Sequence, residues 1–147
     1  MHRVVAVLVV VLVAGVAVAQ QPGSYTPAEN PYQADLAFTS GKPIDLFVEI
    51  EGVRLDGIVV LPGGDARAGE QVECDIQVVG VSVAEKRATI NTVILLEDAE
   101  GKPLERETLD PFRVKAGKPF DEKQKRAVSG SALINAAKVY VLVQVSF

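Results

Sequence analysis

Much of this chain consists of short segments in which apolar and polar residues alternate. In residues 44–50 every second residue is Ile, Leu or Val, a period of two that places these side chains on one face of a strand. Turn sequences separate the segments, and the one helical turn predicted, over residues 131–137, is capped by Ser131. Further strands are predicted at residues 53–61, 72–78, 88–97, 112–116 and 139–145, the last apolar on both faces and therefore central.

Because no helices are available to connect parallel strands, these segments predict an all-β fold, an antiparallel sandwich. Residues 68–72, 95–104 and 138–145 together resemble immunoglobulin-like or fibronectin-type domains of exported bacterial proteins. The resemblance covers about residues 43–147 and implies an immunoglobulin-like sandwich of about 7–8 strands. It lacks the paired cysteines and core tryptophan of antibody domains. Since such folds host unrelated functions, it implies architecture and not activity.

The tripeptide Gly-Lys-Pro occurs three times, at residues 41–43, 101–103 and 117–119, each time directly before an apolar residue. Glycine reaches positive φ and proline fixes the chain before a strand begins, so we interpret these tripeptides as turn exits. A lysine-based binding motif is the alternative.

The first 35 residues differ from the rest in composition. A basic residue, Arg3, precedes an apolar run over residues 4–19 that ends in small residues, which predicts a signal peptide cleaved between Ala19 and Gln20. The run is shorter than the roughly 20 residues of a spanning helix, although an uncleaved anchor is an alternative. Residues 20–35 are rich in proline and predict an exposed flexible tether, followed by a sandwich domain over 36–147. The protein is therefore expected to be periplasmic, at the cell surface or secreted.

The side chains that usually perform chemistry near neutral pH are scarce. The single histidine, His2, lies in the predicted signal peptide, which excludes a histidine-based triad or metal site from the mature chain. The single cysteine, Cys74, cannot form an internal disulfide, and its alternating segment predicts a buried side chain; a reactive thiol is the alternative. The net charge of −4 argues against a nucleic-acid partner. No cofactor is expected.

Three groups of side chains are candidate sites. A carboxylate pair could hydrolyse glycosides, but the acids at positions 45, 49, 73 and 75 alternate with apolar residues, which predicts solvated faces. Weak calcium candidates, clustered in one turn, are Glu97, Asp98 and Glu100. A basic cluster, either a charged edge strand or a docking patch for an anionic envelope polymer, consists of Lys123, Lys125 and Arg126.

These observations favour a non-enzymatic interaction or accessory module at the cell envelope, with an unknown envelope protein or polymer as its partner. The membrane is expected to be contacted only through the transient signal peptide. The main alternative is a small carboxylate-dependent hydrolase. Two further hypotheses are a structural envelope protein and an outer-membrane barrel, since residues 139–147 resemble a closing barrel strand; the few aromatic residues argue against the two girdles that such a barrel needs.

Overall fold

A computed structural model describes residues 24–147. The predicted signal peptide and its cleavage site between Ala19 and Gln20 lie outside the described residues. Ten strands and one short helix follow one another along the described chain. Their bounds are β1 Thr26–Pro27, β2 Tyr32–Ala37, β3 Ile44–Ile50, β4 Val53–Pro62, β5 Gln71–Ser82, β6 Ala88–Glu97, β7 Pro103–Thr108, β8 Phe112–Val114, β9 Pro119–Ser129, α1 Gly130–Asn135 and β10 Lys138–Ser146.

The strands form two sheets. Sheet A has the order β1-β3-β4-β5-β9, and sheet B has the order β2-β10-β6-β7, with β8 pairing β6 beyond the end of β7. All pairings are antiparallel except that of β1 with β3. The prediction of an all-β fold is therefore confirmed. Strand β10 lies between β2 and β6, so its predicted central position is also confirmed.

One apolar core lies between the sheets and explains the alternation of the sequence. Inward side chains of both sheets belong to a single buried cluster, because each strand directs every second residue to the same face. The prediction of a buried thiol is confirmed, since Cys74 on β5 is only 1% exposed. Among the largest side chains that are almost completely buried are Ile50, Leu55, Ile58, Ile76, Ile90 and Ile94.

The structure corrects the predicted tether over the part of residues 20–35 that it describes. Strand β1 pairs with β3, and all six residues of β2 pair with β10 in sheet B. Tyr32 and Leu36 also pack against the core. The local composition is typical of a linker, but pairing with the free edge of β10 satisfies the backbone groups of β2 and makes it part of the sheet.

The predicted helical turn exists, but its cap is two residues earlier than expected. Ser129 is the N-cap of α1, and its hydroxyl accepts the N–H of Ala132 at 3.4 Å. The hydroxyl of Ser131 instead accepts the N–H of Gly69 at 3.3 Å, in the loop that precedes β5. Between residues 24 and 147, no helix has the length and apolar character needed to cross a membrane.

The Gly-Lys-Pro tripeptides act as turn exits, as predicted. Gly41, Gly101 and Gly117 have φ angles of +78°, +82° and +68°, which glycine adopts without steric penalty. Strands begin at or just after each tripeptide, at Ile44, Pro103 and Pro119.

Candidate functional site

Two β-bulges lie side by side on sheet A. The pairing of β3 with β4 moves from Asp45↔Gly57 to Val48↔Leu55, so β3 contains one extra residue there. The pairing of β4 with β5 shifts by one residue at the same level, between Leu55 and Gly57. Bulges bend a strand and change the direction of its side chains, and they are common beside functional sites.

The bulge on β3 holds Phe47 in an unusual backbone conformation. Its φ angle is +46° in the middle of a strand, a region that bulky residues rarely occupy. Among residues 24–147, the other non-glycine residue with positive φ is Glu51, at +48°. It lies with Gly52 in the two-residue turn between β3 and β4, where a hairpin requires that conformation. Phe47 has no such turn to explain it.

Gly57 permits the close approach of β4 to β3 at this level. A Cβ atom on Gly57 would lie 2.7 Å from the carbonyl oxygen of Ile44, closer than normal van der Waals contact. The absence of a side chain in the strand therefore allows the two bulges to lie in adjacent strands.

The bulges border a depression of about 230 Å³ on the outer face of sheet A, which we call the bulge cavity. Its apolar wall comes from the neighbouring strands and from the residue that precedes β3. Since the cavity is smaller than those that enclose drug-sized ligands, its size suits one side chain or one small ring. The apolar lining residues are Pro43, Phe47, Ile58, Val59 and Val79, and the polar ones are Asp45, Asp56 and Gln77.

Hydrogen bonds fix two of the polar residues. The hydroxyl of Tyr25 donates to Oδ1 of Asp56, and Nε2 of Gln77 donates to Oδ1 of Asp121 at 2.6 Å. The bond to Asp56, followed by burial, raises the pKa of Tyr25. The amide of Gln77 must present its nitrogen to Asp121, because a carboxylate only accepts, so its oxygen remains available.

An aromatic and ionic cluster borders the cavity at the Phe47 end. The rings of Tyr25 and Phe47 are tilted by 51°, with centroids 6.2 Å apart. The Arg54 guanidinium lies 5.2 Å from the centroid of the Tyr25 ring, within cation–π range. Nε of Arg54 also donates to Oε1 of Glu49 at 3.1 Å, so its charge is already paired.

The calcium candidates do not come together. Oδ1 of Asp98 accepts the N–H groups of Glu100 and Lys102, at 3.0 and 2.8 Å, and so forms the turn between β6 and β7. Glu97 is the last residue of β6 and is only 8% exposed. Within residues 24–147, no group of three or more acidic, histidine or cysteine side chains is arranged to hold a metal ion.

Glu97 instead contacts a carboxyl group on another strand. A hydrogen bond with Asp35 of β2, followed by burial and the charge of Asp35, raises the pKa of Glu97; Asp98 raises it further, and Lys138 opposes the shift. Oε1 of Glu97 is buried without a partner among the described residues. The two acids therefore face each other across β10.

The basic candidates occupy opposite sides of β9. Lys123 and Lys125 are exposed, and Nζ of Lys125 lies 3.5 Å from Oε1 of Glu73. Arg126 alternates to the other side, where its Nη2 lies 3.2 Å from Oδ1 of Asp110. Since successive side chains of a strand point to opposite faces, the three residues do not form one patch.

Strand β9 is a charged strand at the edge of sheet A, as the first of the two interpretations of the basic cluster predicts. Gln124 exchanges two hydrogen bonds with the backbone of Asp110, at 2.8 and 2.9 Å, and the Ser129 N–H donates to Oε2 of Glu105 on β7 at 2.6 Å. Half-buried Glu107 also lies on β7. Burial and, to a smaller extent, the charge of Glu105 raise the pKa of Glu107, whereas the charge of Arg126 lowers it. This seam of side chains joins the edges of the two sheets.

A larger depression of about 450 Å³ lies next to the loop at residues 63–65. Its charged lining residues include Glu73 and Lys125, which form the ion pair described above and are both largely exposed. No aromatic side chain lines it. It therefore offers less basis for specific recognition than the bulge cavity.

The comparisons with known proteins add no family. No protein-family model matches the chain, and no curated protein matches it either. The geometry of the described residues therefore carries the functional argument.

The sequence did not predict the bulge cavity as a site. Two signals in the sequence point to it. Phe47 is an aromatic residue at a position where the alternation of residues 44–50 calls for a polar one, and Gly57 interrupts a strand, which is typical of a bulge. Neither signal indicates that the two irregularities are adjacent, because their separation in space depends on the register of β3 and β4.

Proposed function

We propose that this chain is an exported immunoglobulin-like binding module of the cell envelope, without enzymatic activity, and that the bulge cavity is its recognition site. The partner class is an envelope protein or polymer. The observation that carries the proposal is the conformation of Phe47 beside an apolar cavity with a few polar groups.

Phe47 contributes little to the core and yet occupies a costly conformation. Its neighbours Leu46 and Val48 are buried between the sheets, whereas Phe47 is half-buried on the outer face. A left-handed conformation costs a non-glycine residue about 1–2 kcal/mol, and such residues cluster at functional sites. A role in recognition accounts for an aromatic residue where glycine would fit the backbone better.

The test is capture of partners from an envelope fraction by the chain beginning at Gln20, with cross-linking and mass spectrometry. Phe47→Gly should leave the melting temperature within a few degrees of wild type, because relief of the strained φ offsets the lost ring contacts. It should also abolish enrichment of the partner. Phe147→Gly is the matched control, since Phe147 is 60% exposed and does not line the bulge cavity. Partner capture that survives Phe47→Gly would refute the proposed site.

A second function has one observation in its favour. Asp45 and Asp56 line the same cavity as the Phe47 ring, and two carboxylates beside an aromatic wall are the components of a glycoside hydrolase. Release of nitrophenol from a panel of nitrophenyl glycosides, abolished by either Asp45→Asn or Asp56→Asn, would establish that alternative. Failure of all substrates would leave the binding module as the better explanation.

A further inference from the structure

Most of the hydrogen-bonding positions left unpaired on the polar side chains of the bulge cavity are acceptors. Asp45 makes no side-chain hydrogen bond or ion pair within the described residues, and Asp56 accepts only through Oδ1. Gln77 donates one amide N–H to Asp121, which leaves its oxygen and its second N–H. A ligand that pairs the two carboxylates must therefore supply donors. Ligands that offer only acceptors, such as carboxylates and phosphates, would leave both carboxylates unpaired.

The charge of the cavity favours a cation. Two carboxylate side chains line it and no basic side chain does. The nearby Arg54 is paired with Glu49 and lies over the Tyr25 ring. Lys123 is opposite Gln77 in the pairing of β5 with β9, outside the lining residues. A cationic donor that enters the cavity would meet two carboxylate groups and no basic side chain among the lining residues.

The apolar wall specifies what must be attached to that cation. Pro43, Phe47, Val59 and Val79 contribute to this wall, so a compact hydrated ion would leave the apolar surface without a contact. Lysine and arginine side chains combine an apolar stem with a cationic head, and the Phe47 ring can also attract the head. The volume of about 230 Å³ suits one such side chain.

We propose that the bulge cavity binds the lysine or arginine side chain of a partner protein, with Asp45 and Asp56 accepting from the cationic head and Phe47 packing on the stem. This inference rests on the proposed function and specifies the chemistry of its partner. The partner protein is expected to present a basic residue on an exposed extended segment, because the cavity lies on an open sheet face.

The test is a titration of the ¹⁵N-labelled chain, beginning at Gln20, with blocked peptides Gly-Gly-X-Gly-Gly, followed by two-dimensional NMR. The residue X is lysine, arginine, norleucine, N-acetyl-lysine or glutamate. Lysine and arginine should shift the amide signals of Phe47, Val59 and Val79 and bind at least about tenfold more tightly than norleucine, since charge-assisted hydrogen bonds are the stronger class. Glutamate should not bind.

Isosteric variants test the two carboxylates. Asp45→Asn and Asp56→Asn should each weaken binding of the lysine peptide by about tenfold and reduce its salt dependence. Asp65→Asn is the matched control, because Asp65 is exposed in the loop after β4 and does not line the bulge cavity. Equal binding of norleucine or N-acetyl-lysine, or unchanged binding by both aspartate variants, would overturn the assignment of a cation.

The outcomes separate this inference from the proposed function. If no peptide binds but Phe47→Gly still abolishes partner capture, the cavity is a recognition site for another chemistry and only the cation assignment fails. If no peptide binds and capture survives Phe47→Gly, both fail. Tighter binding of free 1,5-diaminopentane than of the lysine peptide would replace the partner protein by a small amine.

Discussion

Glu97 shows how a single residue acquires a pH-dependent role from its surroundings. Its carboxyl group hydrogen-bonds to that of Asp35 and is largely buried, so its pKa is raised in the folded state. The groups that face it are Asp35 on β2, Lys138 on β10 and Asp98 in the following turn. A raised folded pKa means that the stabilisation from the neutral form is present below the unfolded pKa of about 4.3 and is lost as the pH rises through the folded value.

We therefore expect Glu97→Gln to raise the melting temperature at pH 7 and to flatten the decline in stability above pH 4. The glutamine amide can still donate to Asp35 but cannot ionise. Thermal unfolding from pH 4 to pH 8 measures the effect, and Glu100→Gln in the adjacent exposed turn is the control. An equal effect of Glu97→Gln at both ends of this range would contradict the shared-proton interpretation.

The thiol of Cys74 should be almost unreactive in the folded protein. Burial, then the charges of Glu107, Asp75 and Glu105, raise its pKa to about 11. Compared with a free thiol of pKa about 8.5, the thiolate fraction at pH 8 falls by at least about a hundredfold. Absorbance of released thionitrobenzoate should show fast reaction in denaturant and at least about a hundredfold slower reaction without it. Similar rates in both conditions would support the reactive-thiol alternative.

At the scale of elements, Asn30 attaches the segment between β1 and β2 to the end of β10. Its side chain accepts the N–H of Val145 at 3.0 Å and donates to the carbonyl oxygen of the same residue at 2.7 Å. This pair of bonds extends the pairing on the β2 side of β10, where the strand ladder ends at Val143. The Asn30 side chain also donates to Oε2 of Glu51 at 2.8 Å, in the turn between β3 and β4. One side chain therefore joins the two sheets.

We expect Asn30→Ala to reduce the free energy of unfolding by about 1–2 kcal/mol, because two hydrogen bonds to the backbone are lost at roughly 0.5–1.5 kcal/mol each. Urea denaturation followed by circular dichroism measures the loss. Glu29→Ala is the matched control, since Glu29 is exposed and makes no side-chain hydrogen bond within residues 24–147. Equal stabilities of the two variants would show that the contact adds nothing to the fold.

For the whole molecule, strand β2 should be indispensable. It pairs with β10 over six residues, and Tyr32 and Leu36 pack on the core. A chain beginning at Gly41 lacks β1 and β2 and exposes an edge of the apolar strand β10. Such edges promote aggregation, so we expect this chain to be largely unfolded or aggregated.

The chain beginning at Gln20 is the control for that truncation. Size-exclusion chromatography and thermal unfolding of the two chains should show a monomeric, cooperative transition only for the longer one. A truncated chain that melted at the same temperature as the control would restore the prediction of a tether for residues 20–35.

Local sequence patterns are sufficient to predict the strands whose residues alternate between an apolar and a polar face. The alternation of residues 44–50, the glycines of the Gly-Lys-Pro turns, the central β10 and the buried Cys74 all follow from local periodicity and backbone preference. They can be predicted without knowing which strands lie next to one another. They define the fold class and most of the core.

Which irregular residues meet depends on how the strands are arranged in space. Strand β2 is a strand because β10 offers it an edge, and Asp35 reaches Glu97 because β2 and β6 flank the same strand. The bulge cavity likewise depends on the register that places the bulges of β3 and β4 side by side. Such contacts join residues far apart in the chain, and a one-residue change of register would separate them.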